Sequence, residues 1–169
     1  RRCSLWRAPD RSMLGLPQEA WLDRVMQRMP REGWNLLAQT TLFGQRNLRS
    51  APEQMFSNDG WDGYEPARDR LVAGLQRHRV GNPVMLGGDV HQNWVGHIKS
   101  DYDRPRSANV GVEFCGTAIS SRSGGNTHTQ QRLADNPHFV FADAELKGYG
   151  VVDLQSRRMT TTLRVVDDV

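Results

Sequence analysis

Asn82-Pro83-Val84-Met85-Leu86-Gly87-Gly88-Asp89-Val90-His91 is the stretch whose reading decides the fold. Val84 to Leu86 form a short apolar run between a proline and a glycine pair, the pattern of a short buried strand. The strand ends by presenting an aspartate and a histidine from one turn. Residues two apart in extended chain point to the same side. At the C-terminal end of a strand in an open α/β sheet, that places a carboxylate and an imidazole where such sheets bind ligands. A hard oxygen ligand beside an imidazole suits Mn, Fe, Zn or a mixed pair including Ca. Gly87 and Gly88 allow close backbone approach, at an entropic cost to the strand. The bland alternative is that Asp89 caps a turn and His91 is a hydrogen-bonded loop residue. On these residues alone the two readings stand level.

Outward to the N-terminal side, a helix is predicted to open at Pro17, a residue tolerated in a first helical turn. Trp21, Leu22, Val25, Met26 and Met29 then recur at helical spacing and read as core packing, with Pro30 and Gly33 as the stop. Trp34 to Leu42 reads as a buried strand leading into a loop. Gln45 to Tyr64 is a long polar connection, and connections of that length are often functional. A second helix is predicted from Glu65-Pro66, with Ala67, Leu71, Leu75 and His78 inward and Gly81 as its stop.

Toward the C-terminus, Val110, Val112 and Phe114 alternate with Gly111, Glu113 and Cys115, the period of a strand. Phe139 to Phe141, Tyr149 to Leu154 and Met159 to Val166 are further strand candidates. The last two are joined at Gln155 to Arg158 as a hairpin. Ser120 to Asn136 reads as a polar surface loop with a short helix at Gln130 to Leu133. The order helix, strand, loop, helix, strand followed by strands predicts an α/β layered sheet with an added β-hairpin.

The composition is that of an ordinary globule, and a chain of 169 residues is one domain on length alone. Net charge is +3, which mildly favours anionic partners. The basic residues are scattered among acids without a like-charge run, so no specific nucleic-acid surface is expected. No stretch approaches a membrane span. Arg1-Arg2-Cys3 leads into polar sequence, so no signal peptide is read here. The absence of an initiator Met suggests a trimmed or processed chain. Cys3 and Cys115 either bridge or stand as two unrelated thiols, the more common case, and one such pair leaves the redox compartment open.

Other residues bear on chemistry. Asn58 to Tyr64 packs two carboxylates and two aromatics into one loop, in which Trp61 and Tyr64 either shape a substrate wall or anchor the loop to the core. Asp59 or Asp62 is a lesser ligand candidate, as are Gln39 and Asn93, whose amides more often satisfy backbone groups. His138, in Asn136-Pro137-His138, is a substrate-binding candidate. His97 reaches the same edge only if Trp94 to Ile98 folds back. His128 lies near a loop, and His78 reads as structural. Serine-hydrolase elbows, Walker loops, dinucleotide fingerprints, Cys-x-x-Cys and His-Glu-x-x-His are all absent from the sequence.

Together these pieces resemble the C-terminal half of the alkaline phosphatase D (PhoD-like) family. The matching segments are MLG at 13–15 with QEAWL at 18–22, WNLLAQ at 34–39, DGWDGY at 59–64 and LGGDVH at 86–91. They continue with EF at 113–114, GTAISS at 116–121, NPH at 136–138 and KGY at 147–149. Lys147 stands where the family usually has arginine. The resemblance implies that residues 1–169 are the C-terminal portion of one four-layer α/β/β/α metallophosphatase domain, exported and linked with calcium and iron. It implies hydrolysis of phosphomonoesters and phosphodiesters, with Asp89 and His91 as metal ligands. The family's earlier ligands come from its N-terminal half, the expected partner of this chain, so the chain alone is expected to be inactive. Two other readings are a non-catalytic fragment that binds anions or partners, and a basic β module for nucleic acid.

Overall fold

A computed structural model describes residues 5–50 and 52–166. Helix α1 runs Leu16–Met26, strand β1 Asn35–Ala38 and helix α2 Glu65–Arg77, the last preceded by a 3₁₀ turn at Trp61–Gly63. Strands β2 (Pro83–Gly87), β3 (Asn93–Lys99) and β4 (Asn109–Cys115) follow. Helix α3 is Asn126–Asp135, and strands β5, β6 and β7 are Phe139–Asp143, Gly148–Leu154 and Met159–Val165. Five strands form one sheet in the order β1-β2-β4-β3-β5, and β6 and β7 pair as a separate hairpin.

Strand β2 pairs in parallel with β1 on one side and β4 on the other. Strand β3 is antiparallel to β4 and to β5. The C-terminal ends of β1, β2, β4 and β5 and the start of β3 therefore share one edge of the sheet. Asp89 and His91 follow β2, in the middle of that edge.

One face of the sheet is closed. Leu37, Met85, Trp94, Ile98, Cys115 and Ala142 point to it and are buried. Residues of α1 and α2 complete one cluster there, and Phe139 with Leu133 of α3 a second. Helix α2 supplies Ala67, Leu71, Val72 and Leu75 at helical spacing. Gly74 lies inside that helix because α1 crosses it there: a Cβ would come 2.5 Å from Met26 Cε. The other face is less covered, although Val84 in its middle is buried. Leu36 and Phe141 are exposed, and Leu86, Val95, Val112 and Phe114 are half-buried.

The α/β sheet and the added hairpin match the expected fold class. Several details differ. Helix α1 ends at Met26, and of its apolar stripe only Met26 is buried, whereas Trp21 is 53% exposed. Strand β1 spans four residues, because Gln39 turns the chain by clamping Thr41. Asn93–Lys99 is a strand that hydropathy did not disclose, since Gly96, His97 and Lys99 interrupt its apolar pattern. The short helix expected at Gln130 to Leu133 is a ten-residue helix. His78 is structural as expected, bonded to Asp23 across the α1–α2 contact. No described helix is long and apolar enough to cross a membrane. Cys3 lies outside the described residues, and Cys115 is a free buried thiol.

Candidate functional site

Asp89 and His91 stand at the C-terminal end of β2 in an unusual backbone. Asp89 has φ 70° and His91 φ 57°, two of only four non-glycine residues with positive φ among those described. A left-handed residue costs about 1–2 kcal/mol. Both therefore lie past the strand in left-handed backbone, so the same-side placement expected from extended chain does not apply to them. Two such residues within three positions, at the edge where open α/β sheets bind ligands, are strain of the kind that clusters at functional sites. Both side chains are exposed.

The turn is held from below and from both sides. The Gly116 amide donates to the Gly87 carbonyl at 2.9 Å, and the Cys115 thiol donates to the Gly88 carbonyl at 3.2 Å. A Cβ on Gly87 would meet the Thr41 carbonyl at 2.3 Å, so glycine lets the loop after β1 close over the end of β2. From that loop the Thr41 hydroxyl donates to Asp89 Oδ2 at 2.9 Å. On the other side the Thr117 hydroxyl donates to the His91 carbonyl at 3.2 Å. Lys147 Nζ donates to Ser123 Oγ at 2.8 Å and lies 3.4 Å from the His91 carbonyl.

The His91 ring is oriented by its Nδ1, which lies 3.2 Å from the Arg122 carbonyl. Nδ1 can bond a carbonyl only by carrying the proton, so in the neutral ring Nε2 keeps the free lone pair. A backbone carbonyl on one ring nitrogen is the usual support of a metal-binding histidine. Asp89 keeps Oδ1 outside its bond to Thr41. Each side chain offers a donor of a kind that binds cations, a carboxylate oxygen and an imidazole nitrogen. Among the described residues no group of three or more His, Cys, Asp or Glu side chains comes together, so a coordination sphere here would need further ligands.

The other candidates lie elsewhere or are already engaged. Trp61 is 2% exposed, packs edge-on against Phe43 with ring centres 4.9 Å apart, and donates its indole N–H to Gln39. Its ring is in the core because the 3₁₀ turn swings it under the loop after β1, so the structure places it as an anchor rather than as a wall for substrate. Tyr64 is half-buried against the helical core, and its ring is covered by the Arg11 guanidinium at 4.2 Å. His138 sits at the opposite end of β3 from Asn93, stacked between Tyr102 and Phe139, with Nε2 2.7 Å from the Gln45 carbonyl. Burial pushes its imidazole down to about 4. Neither Tyr64 nor His138 joins Asp89 and His91.

Asp62 is the buried partner of Arg68 at 2.7 Å and also accepts the Arg46 amide, which leaves it no ligand role. Asp59 is exposed in its loop. The amides of Gln39 and Asn93 satisfy backbone groups of Thr41 and Thr117. His97 stays in β3 opposite Val112, and His128 is exposed on α3.

Sequence reading missed Thr41, Thr117 and Glu113. The local signal at Glu113 misleads: a charged residue in an otherwise apolar strand reads as solvent-facing, yet it is 1% exposed. Its carboxylate accepts the backbone N–H groups of Phe43 and of Gly44, the latter at 2.8 Å. Burial pushes its carboxyl up to about 7 against the pull of those two amides and of Arg68 and Arg46.

Comparison with known proteins identifies the family. The model of the PhoD-like phosphatase family matches residues 1–163. Alkaline phosphatase D of Bacillus subtilis (strain 168) is 35% identical over 146 residues, 85% of this chain and 25% of that protein. A solved structure described as "Structure of PhoD" superposes with a TM-score of 0.79 at 29% identity, over 97% of this chain and 35% of that one. The chain therefore spans about a quarter to a third of the length of these relatives, less than the half expected from sequence. With a family model over nearly its whole length, the chain belongs to the PhoD-like phosphatases.

Proposed function

We propose that this chain carries part of the active-site edge of a metal-dependent phosphoester hydrolase, with Asp89 and His91 as two ligands to a metal centre. The observation that carries the reading is the pair of left-handed backbones at Asp89 and His91. Backbone strain of this kind clusters at functional sites. The metals would be those the family resemblance implies, calcium and iron, and the substrates phosphomonoesters and phosphodiesters. A bound metal centre lowers the pKa of water and offsets charge on phosphoryl oxygens. This chain's residues would hold and orient: Asp89 through Oδ1, His91 through Nε2, with Arg122 and Thr41 fixing their directions. The remaining ligands would come from the rest of a longer, exported protein, consistent with the chain's share of its relatives' length.

A second reading is a non-catalytic anion- or partner-binding fragment of the same fold. It is favoured by the lack of any third ligand near Asp89 and His91 among the described residues. The two separate in one assay with a chromogenic phosphodiester, calcium and iron. The metallophosphatase reading expects negligible turnover by this chain alone. It expects turnover by a longer protein containing it, lowered about 1000-fold or more by Asp89→Ala or His91→Ala. Turnover in the longer protein that ignores both substitutions would refute it.

A further inference from the structure

Thr41 touches the candidate ligand Asp89, and an unusual amount of the molecule is spent on placing it. Its hydroxyl is buried and donates to Asp89 Oδ2 at 2.9 Å. Its backbone is gripped at both ends by one side chain. The Thr41 amide donates to Gln39 Oε1 at 3.0 Å, and Gln39 Nε2 donates to the Thr41 carbonyl. Gln39 is itself held by the Trp61 indole N–H at 3.0 Å. Two residues further along, the loop is bolted down by Glu113, a fully buried carboxylate that takes the amides of both Phe43 and Gly44.

A buried carboxylate in mid-sheet is costly unless hydrogen-bonded. The loop it holds is itself buried from Thr41 to Gly44, so the carboxylate satisfies two backbone amides that water does not reach. The same clamp fixes the position of Thr41, two residues earlier, whose hydroxyl bonds Asp89. A bond to Oδ2 selects one rotamer of Asp89 and leaves Oδ1 directed away from the protein. Supports of this kind around a ligating carboxylate typically change metal affinity 10–100-fold when removed.

We infer that Thr41 is a positioning residue for Asp89, its hydroxyl being set by the Gln39 and Glu113 clamps so that one carboxylate oxygen is presented to a divalent cation. The inference rests on the metallophosphatase reading for the identity of what Asp89 binds, but the orientation of Asp89 can be tested apart from it. Thr41→Val keeps the volume and removes the hydroxyl, Thr41→Ala removes it without adding a methyl, and Thr41→Ser restores it.

The test is NMR on the full chain, reading two quantities. The first is the side-chain rotamer of Asp89 from its three-bond couplings. A single rotamer is expected in the parent chain and in Thr41→Ser, and averaging in Thr41→Val and Thr41→Ala, with the amide spectrum of β2 and β4 unchanged. The second is Mn²⁺-induced broadening at Asp89 and His91, expected to need 10–100-fold more Mn²⁺ in the valine and alanine variants and to recover in the serine variant. An Asp89 that keeps one rotamer without the hydroxyl, or an unchanged Mn²⁺ midpoint, overturns the role of Thr41. Mn²⁺ that leaves Asp89 and His91 unbroadened in the parent chain counts against the metallophosphatase reading alone, and the rotamer measurement then decides for Thr41 by itself.

Discussion

The two faces of the five-stranded sheet are treated very differently. On one, Trp94, Ile98, Met85 and Cys115 are sealed beneath three helices and the loop after β1. On the other, Val84 is buried, Leu86, Val95, Val112 and Phe114 are half-buried, and Leu36 and Phe141, the latter 44% exposed, meet solvent. Both faces are apolar in composition, yet only one has a described layer of helices on it. A sheet apolar on both faces is built to be covered on both. The candidate ligands sit on the edge where the closed and open faces meet.

The comparison breaks most readily on stability. Trp94→Ala, on the closed face, is expected to cost about 3–5 kcal/mol. Phe114→Ala, on the open face, is expected to cost about 1 kcal/mol or less in this chain. In a longer protein that covers that face the Phe114 cost should rise toward about 3 kcal/mol. Denaturant midpoints measure both. Equal costs in this chain would show that the open face is already stabilised by packing.

A next test probes the buried carboxylate of the closed face. The Glu113 carboxyl is raised in the folded state from 4.5 to about 7, so its folded form binds protons that the unfolded chain releases. Its contribution is greatest below the unfolded value and is lost as pH rises toward 7. Glu113→Gln does not titrate. The stability of the variant relative to the parent should therefore grow by about 3 kcal/mol between pH 4.5 and 7. His138 acts in the opposite sense, its imidazole being lowered to about 4, but it is common to both proteins and cancels in the difference. A pH-independent difference would mean that Glu113 is not desolvated. The smallest effect is expected at the exposed ion pair of Arg49 and Glu53, where Glu53→Ala should change stability by about 0.5 kcal/mol or less.

What could be read in the sequence divides along the same line as the faces. Strand β2 and its terminal Asp-x-His were legible because the apolar run and the glycine pair are local signals. So were α2, with its inward stripe, and the β6–β7 hairpin, whose turn residues are contiguous. Strand β3 was hidden because Gly96 has no side chain to show a pattern and because His97 faces the open side. In β4 the strand period was right, but it could not say that Glu113 and Cys115 lie on the closed face while Val112 and Phe114 face out. That assignment depends on Phe43 and Gly44, some 70 residues earlier, offering two amides to one carboxylate. Trp61 and His138 were attractive as aromatic and imidazole groups in polar loops. Their burial is a tertiary fact, set by Phe43 and Gln39 around one ring and by Tyr102 and Phe139 around the other. Thr41 carries no local signal at all, since its role exists only through its contact with Asp89.

The most direct measurement is anomalous diffraction at the manganese edge from crystals of the protein grown with Mn²⁺, for the parent sequence and for Asp89→Ala. The account predicts a peak within about 2.0–2.3 Å of Asp89 Oδ1 and His91 Nε2, as expected for oxygen and imidazole ligands, and its loss in the variant. A peak held by other residues, or an Asp89 and His91 that diverge with no metal between them, would contradict it.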